Sequence, residues 1–132
     1  MFRLSIVLLG LAAAALAAGP VLIDGDPVAG QQVYNRCIGC HSPERDRTGP
    51  RHCGLYGRVA GSIDDFDYSA AMRESNVIWD RVTLDQFLKS PSSFIPGTSM
   101  GIAGVKDATE RSNLIAYLEE LSGSSQYCKR ME

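Results

Sequence analysis

The stretch CIGCH, residues 37–41, places two cysteines three positions apart and a histidine directly behind the second one. The chain has 132 residues but only four cysteines and two histidines, so half of each type lies in this pentapeptide. On a helical turn, cysteines at this spacing face the same side, and the next residue is carried round beneath them. Unless it arose by chance, the cluster suits a thiol redox pair, half of a zinc site or the covalent attachment of a cofactor.

The surrounding sequence favours covalent haem attachment. In the C-x-x-C-H pattern, two thiols add to the vinyl groups of a porphyrin and the histidine binds its iron. A thioredoxin-like redox pair would follow a β-strand, and none is predicted upstream. A zinc site would need two further ligands, which His52 and the remaining cysteines would supply only with difficulty. We therefore predict one haem c, held by Cys37 and Cys40 with His41 on the iron.

The second axial ligand decides what a haem protein does. An open iron binds ligands or reacts with oxygen species, whereas a second protein ligand closes the site for electron transfer. Met100 ends the stretch FIPGTSM and lies 59 positions beyond His41. The apolar residues Phe94 and Ile95 precede it and are suited to pack against a porphyrin. Met100 is therefore the predicted ligand, and the other candidates are Met72, Met131, His52 and Lys106.

Composition indicates one globular domain. Apolar residues make up 45% of the chain, charged residues 21%, and the formal net charge is −2. This balance gives no basic surface for DNA or RNA, so no nucleic-acid partner is expected. The predicted loops are long for so small a chain, and a large apolar cofactor would supply the missing core.

The first residues have the pattern of an export signal. Arg3 supplies a positive charge, and an apolar run of 15 residues follows up to Ala18, with small residues before a cleavage site. We predict a cleaved signal peptide at 1–18, a mature domain at 19–132 and a periplasmic location. The alternative is an uncleaved anchor, although the run is shorter than the roughly 20 residues that span a bilayer. Loss of Arg3 would leave 12 basic against 15 acidic side chains, a net charge of −3.

Helix signals predict an all-α chain of short helices. Asp26 followed by Pro27 opens the first helix, which we expect to run into CIGCH. The sequence SAAMRE at 69–74 predicts a second, and a capping-box pattern beginning at Thr83 opens a third that ends before Pro91.

The last helix has the clearest pattern. Asp107 and Glu110 form an acidic variant of the capping box, and Gly123 is expected to end the helix. The predicted apolar stripe consists of Leu114, Ile115, Leu118 and Leu121. PSSFIPGTSM is predicted to be non-helical because of its prolines and glycine. The segment 42–65 is predicted to be a long loop, either ordered or disordered, and no strand is predicted.

Taken together, these segments resemble the class I c-type cytochromes of mitochondria and bacteria. The resemblance runs from about Gly25 to Leu121 and includes, in the family's order, GDPVAGQQVY, CIGCH, TGP, GLYGRVAG, DFDYSAA, VIWD, TLDQFLKSP, FIPGTSM and TERSNLIAYL. It implies a small cytochrome c fold, in which short helices and long loops wrap around one covalent haem. It also implies that the first helix crosses the last near Gly30 and Tyr34.

The resemblance assigns roles to individual residues. Cys37 and Cys40 would be the thioether anchors, with His41 the proximal and Met100 the distal iron ligand. The carbonyl of Pro50 would accept the other ring N–H of His41 and fix its orientation. The residues that would hold or neutralise a buried haem propionate are Arg58, Tyr68 and Trp79, assisted by Thr98. Without the resemblance, the arginine would be read as a surface charge and the tryptophan as a core side chain.

The implied function is an exported monohaem carrier that passes single electrons and is not an enzyme. Its expected partners are redox proteins, namely membrane oxidoreductase complexes, an oxidase, a reaction centre or a periplasmic dehydrogenase. Contact with a membrane surface would be transient, and the protein would be a monomer. The competing hypothesis is a haem enzyme or a gas- or peroxide-binding sensor in which Met100 is a labile ligand.

The sequence departs from the family at two places. Phe87 stands where many members have a tyrosine whose hydroxyl reaches the methionine sulfur. Three serines stand where mitochondrial carriers have lysines that steer them to acidic partners: Ser92, Ser93 and Ser99. Arg36 and Lys106 remain, but we expect weak steering and a weak dependence on ionic strength.

Cys53 and Cys128 are left once haem has taken the first two cysteines. In an oxidising compartment they are expected to form a disulfide, which would close a long loop and stabilise by about 4 kcal/mol. Two free thiols or an intermolecular bond are the alternatives.

Overall fold

A computed structural model describes residues 23–123 and Cys128. Within these residues it has five helices and no β-strand, only one isolated bridge between Val59 and Ile78. The helices are α1 (Pro27–Tyr34), α2 (Ala70–Glu74), α3 (Arg81–Lys89), α4 (Pro91–Phe94) and α5 (Ala108–Gly123). The predicted all-α class of short helices and long loops is confirmed.

The predicted signal peptide at 1–18 and the candidate ligand Met131 lie outside the described residues. Among the residues that are described, no helix combines the length and apolar character needed to cross a membrane.

The first and last helices pack against each other. Asp26 caps α1 by accepting the N–H of Val28 at 2.9 Å, and its own N–H donates to the Asn113 side chain of α5 at 2.8 Å. A Cβ at Gly30 would overlap the Asn113 carbonyl, so only glycine permits this approach. The predicted crossing of the two helices is therefore confirmed.

The structure corrects the predicted end of α1. The helix stops at Tyr34 instead of continuing into CIGCH. Tighter turns follow, in which the N–H of Cys37 donates to Tyr34 at 2.8 Å and that of Cys40 to Cys37 at 3.0 Å. These are bonds to the third preceding residue, as in a 3₁₀ helix. The N–H of His41 then donates to the carbonyl of Cys37, four residues back, at 2.9 Å.

Two further boundaries differ from the prediction. Asp80, not Thr83, caps α3: the Asp80 side chain accepts the Thr83 N–H at 2.8 Å while the Thr83 hydroxyl accepts the Asp80 N–H at 2.9 Å. PSSF forms the single-turn helix α4, contrary to the non-helical prediction. Pro91 is its first residue, a position where a missing N–H breaks no helical bond.

The other predicted helices are present. Ser69 caps α2, and Asp107 accepts the N–H of Glu110 at the start of α5 at 2.8 Å. Gly123 is the last residue of α5. The four residues of the predicted stripe are all buried: Leu114, Ile115, Leu118 and Leu121.

One apolar core joins the helices to the loops. Buried residues of α1, α2, α3 and α5 belong to it together with Trp79, which lies between α2 and α3. Three partly buried side chains of the predicted site pack against this core: Cys37, Tyr68 and Met100. The site is therefore a continuation of the core and not a separate surface feature.

Candidate haem site

An open cleft lies at the edge of the core, and its empty space together with the solvent at its mouth is about 850 Å³. Three segments of the chain line it: residues 36–50, residues 66–72 and residues 98–102. The predicted site residues found in its lining are Cys37, Cys40, His41, Pro50, Tyr68, Thr98 and Met100. The structure thus places His41 and Met100, which are 59 positions apart in the sequence, in the lining of one cleft.

His41 is held firmly in the lining. It is 8% exposed, and its Nδ1 lies 2.8 Å from the carbonyl oxygen of Pro50. The backbone of Gly49 lies so close that a Cβ there would overlap the imidazole ring. Burial lowers the pKa of His41, opposed by the bond to Pro50. The neutral ring with Nδ1–H donated to a carbonyl leaves Nε2 as the basic nitrogen, the form that binds a metal.

His52 is stacked on His41. The two ring centroids are 4.3 Å apart with an angle of 21° between the ring planes. The Nδ1 of His52 lies 2.9 Å from the hydroxyl of Tyr34. The residue is only partly buried as a whole, but burial of its ring lowers the pKa of His52 well below the usual value, and the nearby His41 and Arg58 add to the effect. A ring lying face to face with His41 cannot bind the opposite side of the same iron. His52 is therefore excluded as the distal ligand.

Two methionines remain as candidates for the distal ligand. Met72 is 8% exposed, Met100 is partly buried, and both line the cleft. The ammonium of Lys106 instead donates to the carbonyl of Lys89 at 2.8 Å on the surface.

The predicted propionate-binding residues fall into two groups. Tyr68 and Thr98 line the cleft, whereas Arg58 and Trp79 do not belong to its described lining. The guanidinium of Arg58 donates to the carbonyls of Arg51 and Cys53 at 3.0 and 3.1 Å. Burial lowers the pKa of Arg58. Burial raises the pKa of Tyr68, and the positive charge of Arg58 opposes this rise. The arginine is thus close enough to act electrostatically on the cleft wall. Trp79 packs on Phe87, with ring centroids 5.0 Å apart.

The other two cysteines are brought together away from the cleft lining. The sulfur atoms of Cys53 and Cys128 lie 2.00 Å apart, at bonding distance. Cys37 and Cys40 are free thiols in the described chain, and burial raises the pKa of Cys37. The free pair is the one that the motif assigns to the cofactor.

The comparisons with known proteins decide the family. The family model described as cytochrome c matches residues 27–122, most of the chain. The chain belongs to the cytochrome c family. As a member of this family, the cytochrome binds a covalently attached haem c and takes part in electron transfer.

Individual relatives come from animals and bacteria. The cytochrome is 42% identical to cytochrome c type-1 of Ascaris suum, over 76% of its own length and 93% of that protein. It is 39% identical to cytochrome c2 of Rhodomicrobium vannielii, over 75% and 82% of the two chains. Among solved structures, cytochrome cH from Methylobacterium extorquens matches with a TM-score of 0.71 and 35% identity, covering 73% of this chain and 99% of that one.

The cleft of this cytochrome fits a haem group. Its lining holds two free thiols, one metal-binding imidazole and two thioethers, and most of the lining surface is apolar. Arg36 is the one charged residue in that described lining, and it forms an ion pair with Glu110 at 2.7 Å. An apolar, flat cofactor attached through the thiols therefore meets no unpaired charge.

Sequence reasoning missed part of the lining. Gly49 and Phe66 contribute to the cleft but belong to the loop 42–65 or follow it directly. TGP contains Gly49 and DFDYSAA contains Phe66, but neither segment assigned its residue a role at the site. The packing of Phe66 against Tyr68, with ring centroids 4.6 Å apart, depends on contacts that no local pattern records.

Proposed function

We propose that this cytochrome is an exported single-electron carrier whose haem iron is bound by His41 and Met100. The observation that carries the proposal is the cleft itself, in which CIGCH meets the FIPGTSM segment within an apolar lining. Cys37 and Cys40 would form the two thioether bonds. A covalently held cofactor is not lost after export.

The haem supplies a centre that accepts and gives up one electron. The chain's task is then to keep the ligands in place in both oxidation states. Pro50 holds the tautomer and orientation of His41. The apolar core against which Met100 packs keeps water from the thioether. Burial in this core also disfavours the extra positive charge of the oxidised state, so a high potential is expected.

The residues in the cleft favour a carrier over an enzyme. Among the described lining residues there is no Asp, no Glu and no histidine besides His41. Peroxide chemistry needs a positioned group that takes up or gives protons, usually a histidine or carboxylate. The described lining thus offers neither of the two usual groups, which supports electron transfer as the function.

The carrier would work in the periplasm as a monomer, after cleavage of residues 1–18 from the domain 19–132. Its partners would be larger redox proteins: membrane oxidoreductase complexes, an oxidase, a reaction centre or a periplasmic dehydrogenase. Electrons would pass through the cofactor edge at the open side of the cleft. The exposed side chain of Ile102, which is 46% exposed and lines the cleft, gives this edge an apolar border.

One optical experiment separates the carrier from the sensor or enzyme. We expect the oxidised protein at neutral pH to show the charge-transfer band of methionine-bound ferric haem. We also expect the reduced protein to bind carbon monoxide slowly and weakly, because Met100 must leave first. Rapid carbon monoxide binding without the band would support the alternative, in which Met100 is a labile ligand.

A further inference from the structure

The rings of Tyr34, His52 and His41 form a continuous column behind the cleft. Tyr34 is the last residue of α1 and 3% exposed. Its ring meets the edge of His52, with centroids 5.6 Å apart and planes at 63°. His52 in turn stacks on His41. The column connects the helix crossing, through the tyrosine, to the proposed iron ligand.

Two polar contacts fix the column at different points. The hydroxyl of Tyr34 and the Nδ1 of His52 are 2.9 Å apart. The Nδ1 of His41 is bonded to Pro50, a contact that by itself does not fix the rotation of this ring about the hydrogen-bond axis, although the nearby Gly49 backbone limits it. A flat partner parallel to the ring removes that freedom, because tilting would separate the two stacked faces.

We propose that His52 is a positioning residue that sets the plane of His41 relative to the cofactor, with Tyr34 holding His52 in register. The inference rests on the proposed function, since it takes His41 as an iron ligand. A leucine of similar volume at position 52 would fill the space but would not define a plane. The plane of an axial imidazole determines how unpaired spin spreads over a ferric haem, so the role has a spectroscopic signature.

The stack also affects the balance between the two oxidation states. The oxidised iron gives the His41 side of the site an additional positive charge. The stacked His52 ring is the neighbour of His41 on that side. Its removal is therefore expected to shift the midpoint potential.

The test compares variants by proton NMR of the oxidised holoprotein and by redox titration. In His52→Leu, we expect an altered pattern of the four haem methyl shifts and a shifted midpoint potential. His52→Phe keeps a flat ring and is expected to restore much of the wild-type pattern. Tyr34→Phe loses only the hydroxyl and is expected to give a smaller change in the same direction.

Leu84→Ala in α3 is the matched control. Leu84 is 3% exposed, so its truncation destabilises the core without removing a member of the column. An unchanged methyl pattern in His52→Leu, or an equal change in Leu84→Ala, would overturn the inference. If His52→Leu yields no holoprotein, the haem methyl pattern of Tyr34→Phe is compared with the wild type instead, and an unchanged pattern there would overturn the inference. A wild-type protein without the methionine charge-transfer band would instead overturn Met100 as ligand and leave the His52 comparison intact.

Discussion

His41 and Met100 line the same cleft, but the chain holds them in very different ways. His41 is bonded to Pro50, stacked on His52 and enclosed by Gly49. The segment of Met100 has exposed residues on both sides, and the Met100 N–H reaches the hydroxyl of Thr98 at 3.3 Å. The histidine side is fixed from several directions, whereas the methionine side is supported mainly by packing. Ligand exchange, and with it any sensor-like behaviour, would therefore begin at the methionine.

Breaking the histidine side should have the largest effect. In Gly49→Ala, the added Cβ would overlap the His41 ring, so the ring or the backbone must move. We expect little holoprotein, measured as covalent haem per chain after acid-acetone extraction. Gly39→Ala, inside the same motif, meets no atom within 4 Å and is the control. Normal haem content in Gly49→Ala would show that His41 is less constrained than described.

Loss of the bond between Cys53 and Cys128 is expected to have the second-largest effect. It lies one residue from His52 and ties the far end of the chain to the histidine side. Replacing both by serine should lower the free energy of unfolding by about 4 kcal/mol, because the unfolded chain gains the freedom of a long loop. Denaturant unfolding of the holoprotein measures this loss. An unchanged midpoint, or two titratable thiols in the folded protein, would argue against the bridge.

The variant Phe87→Tyr tests the surroundings of the Met100 thioether. Phe87 is 5% exposed, belongs to the core against which Met100 packs, and lies 5.0 Å from Trp79 between ring centroids. A hydroxyl at this position would offer the thioether a hydrogen bond and make the pocket more polar. We expect a measurable shift in midpoint potential with the fold retained. Phe94→Tyr, nearer the surface, serves as control, and equal shifts in the two variants would count against the proposed geometry.

The smallest expected effect concerns the charge around the methionine side. Ser92, Ser93 and Ser99 are exposed, and the cation Arg36 is paired with Glu110. Lys106 donates to a backbone carbonyl and keeps its positive charge, but the three serines add none. Electron transfer with a redox partner should therefore depend only weakly on salt. A triple serine-to-lysine variant should show a steeper dependence. A steep fall in the wild-type rate would reveal steering that these residues do not explain.

Much of the fold could be predicted from local patterns. The caps of α1 and α2, the start of α5 and its apolar stripe follow from side-chain chemistry at fixed spacings. The errors lie where two local solutions compete. Asp80 and Thr83 are both good caps, and the structure uses them reciprocally. In α4, proline was read as a helix breaker, although at a first helical position it is well tolerated.

The candidate site was less accessible to such reasoning. CIGCH is a covalent attachment pattern and is therefore visible in the sequence. The stretch before Met100 already favoured this methionine as a ligand, and the resemblance added Pro50. The sequence suggests His52 only as a ligand of zinc or of the haem iron, because nothing in its neighbours along the chain reveals a stack on His41. Likewise, only the folded chain brings Met72 into the cleft beside Met100. Contacts between distant segments produce no periodic pattern in the sequence.

The most direct test of the account uses these two methionines. Met100→Ala and Met72→Ala remove the same side chain from the same cleft, and Met72 is the more deeply buried of the two. We predict that the charge-transfer band of the oxidised protein at neutral pH disappears in Met100→Ala and persists in Met72→Ala. A native band in Met100→Ala, or its loss only in Met72→Ala, would contradict the proposed ligation.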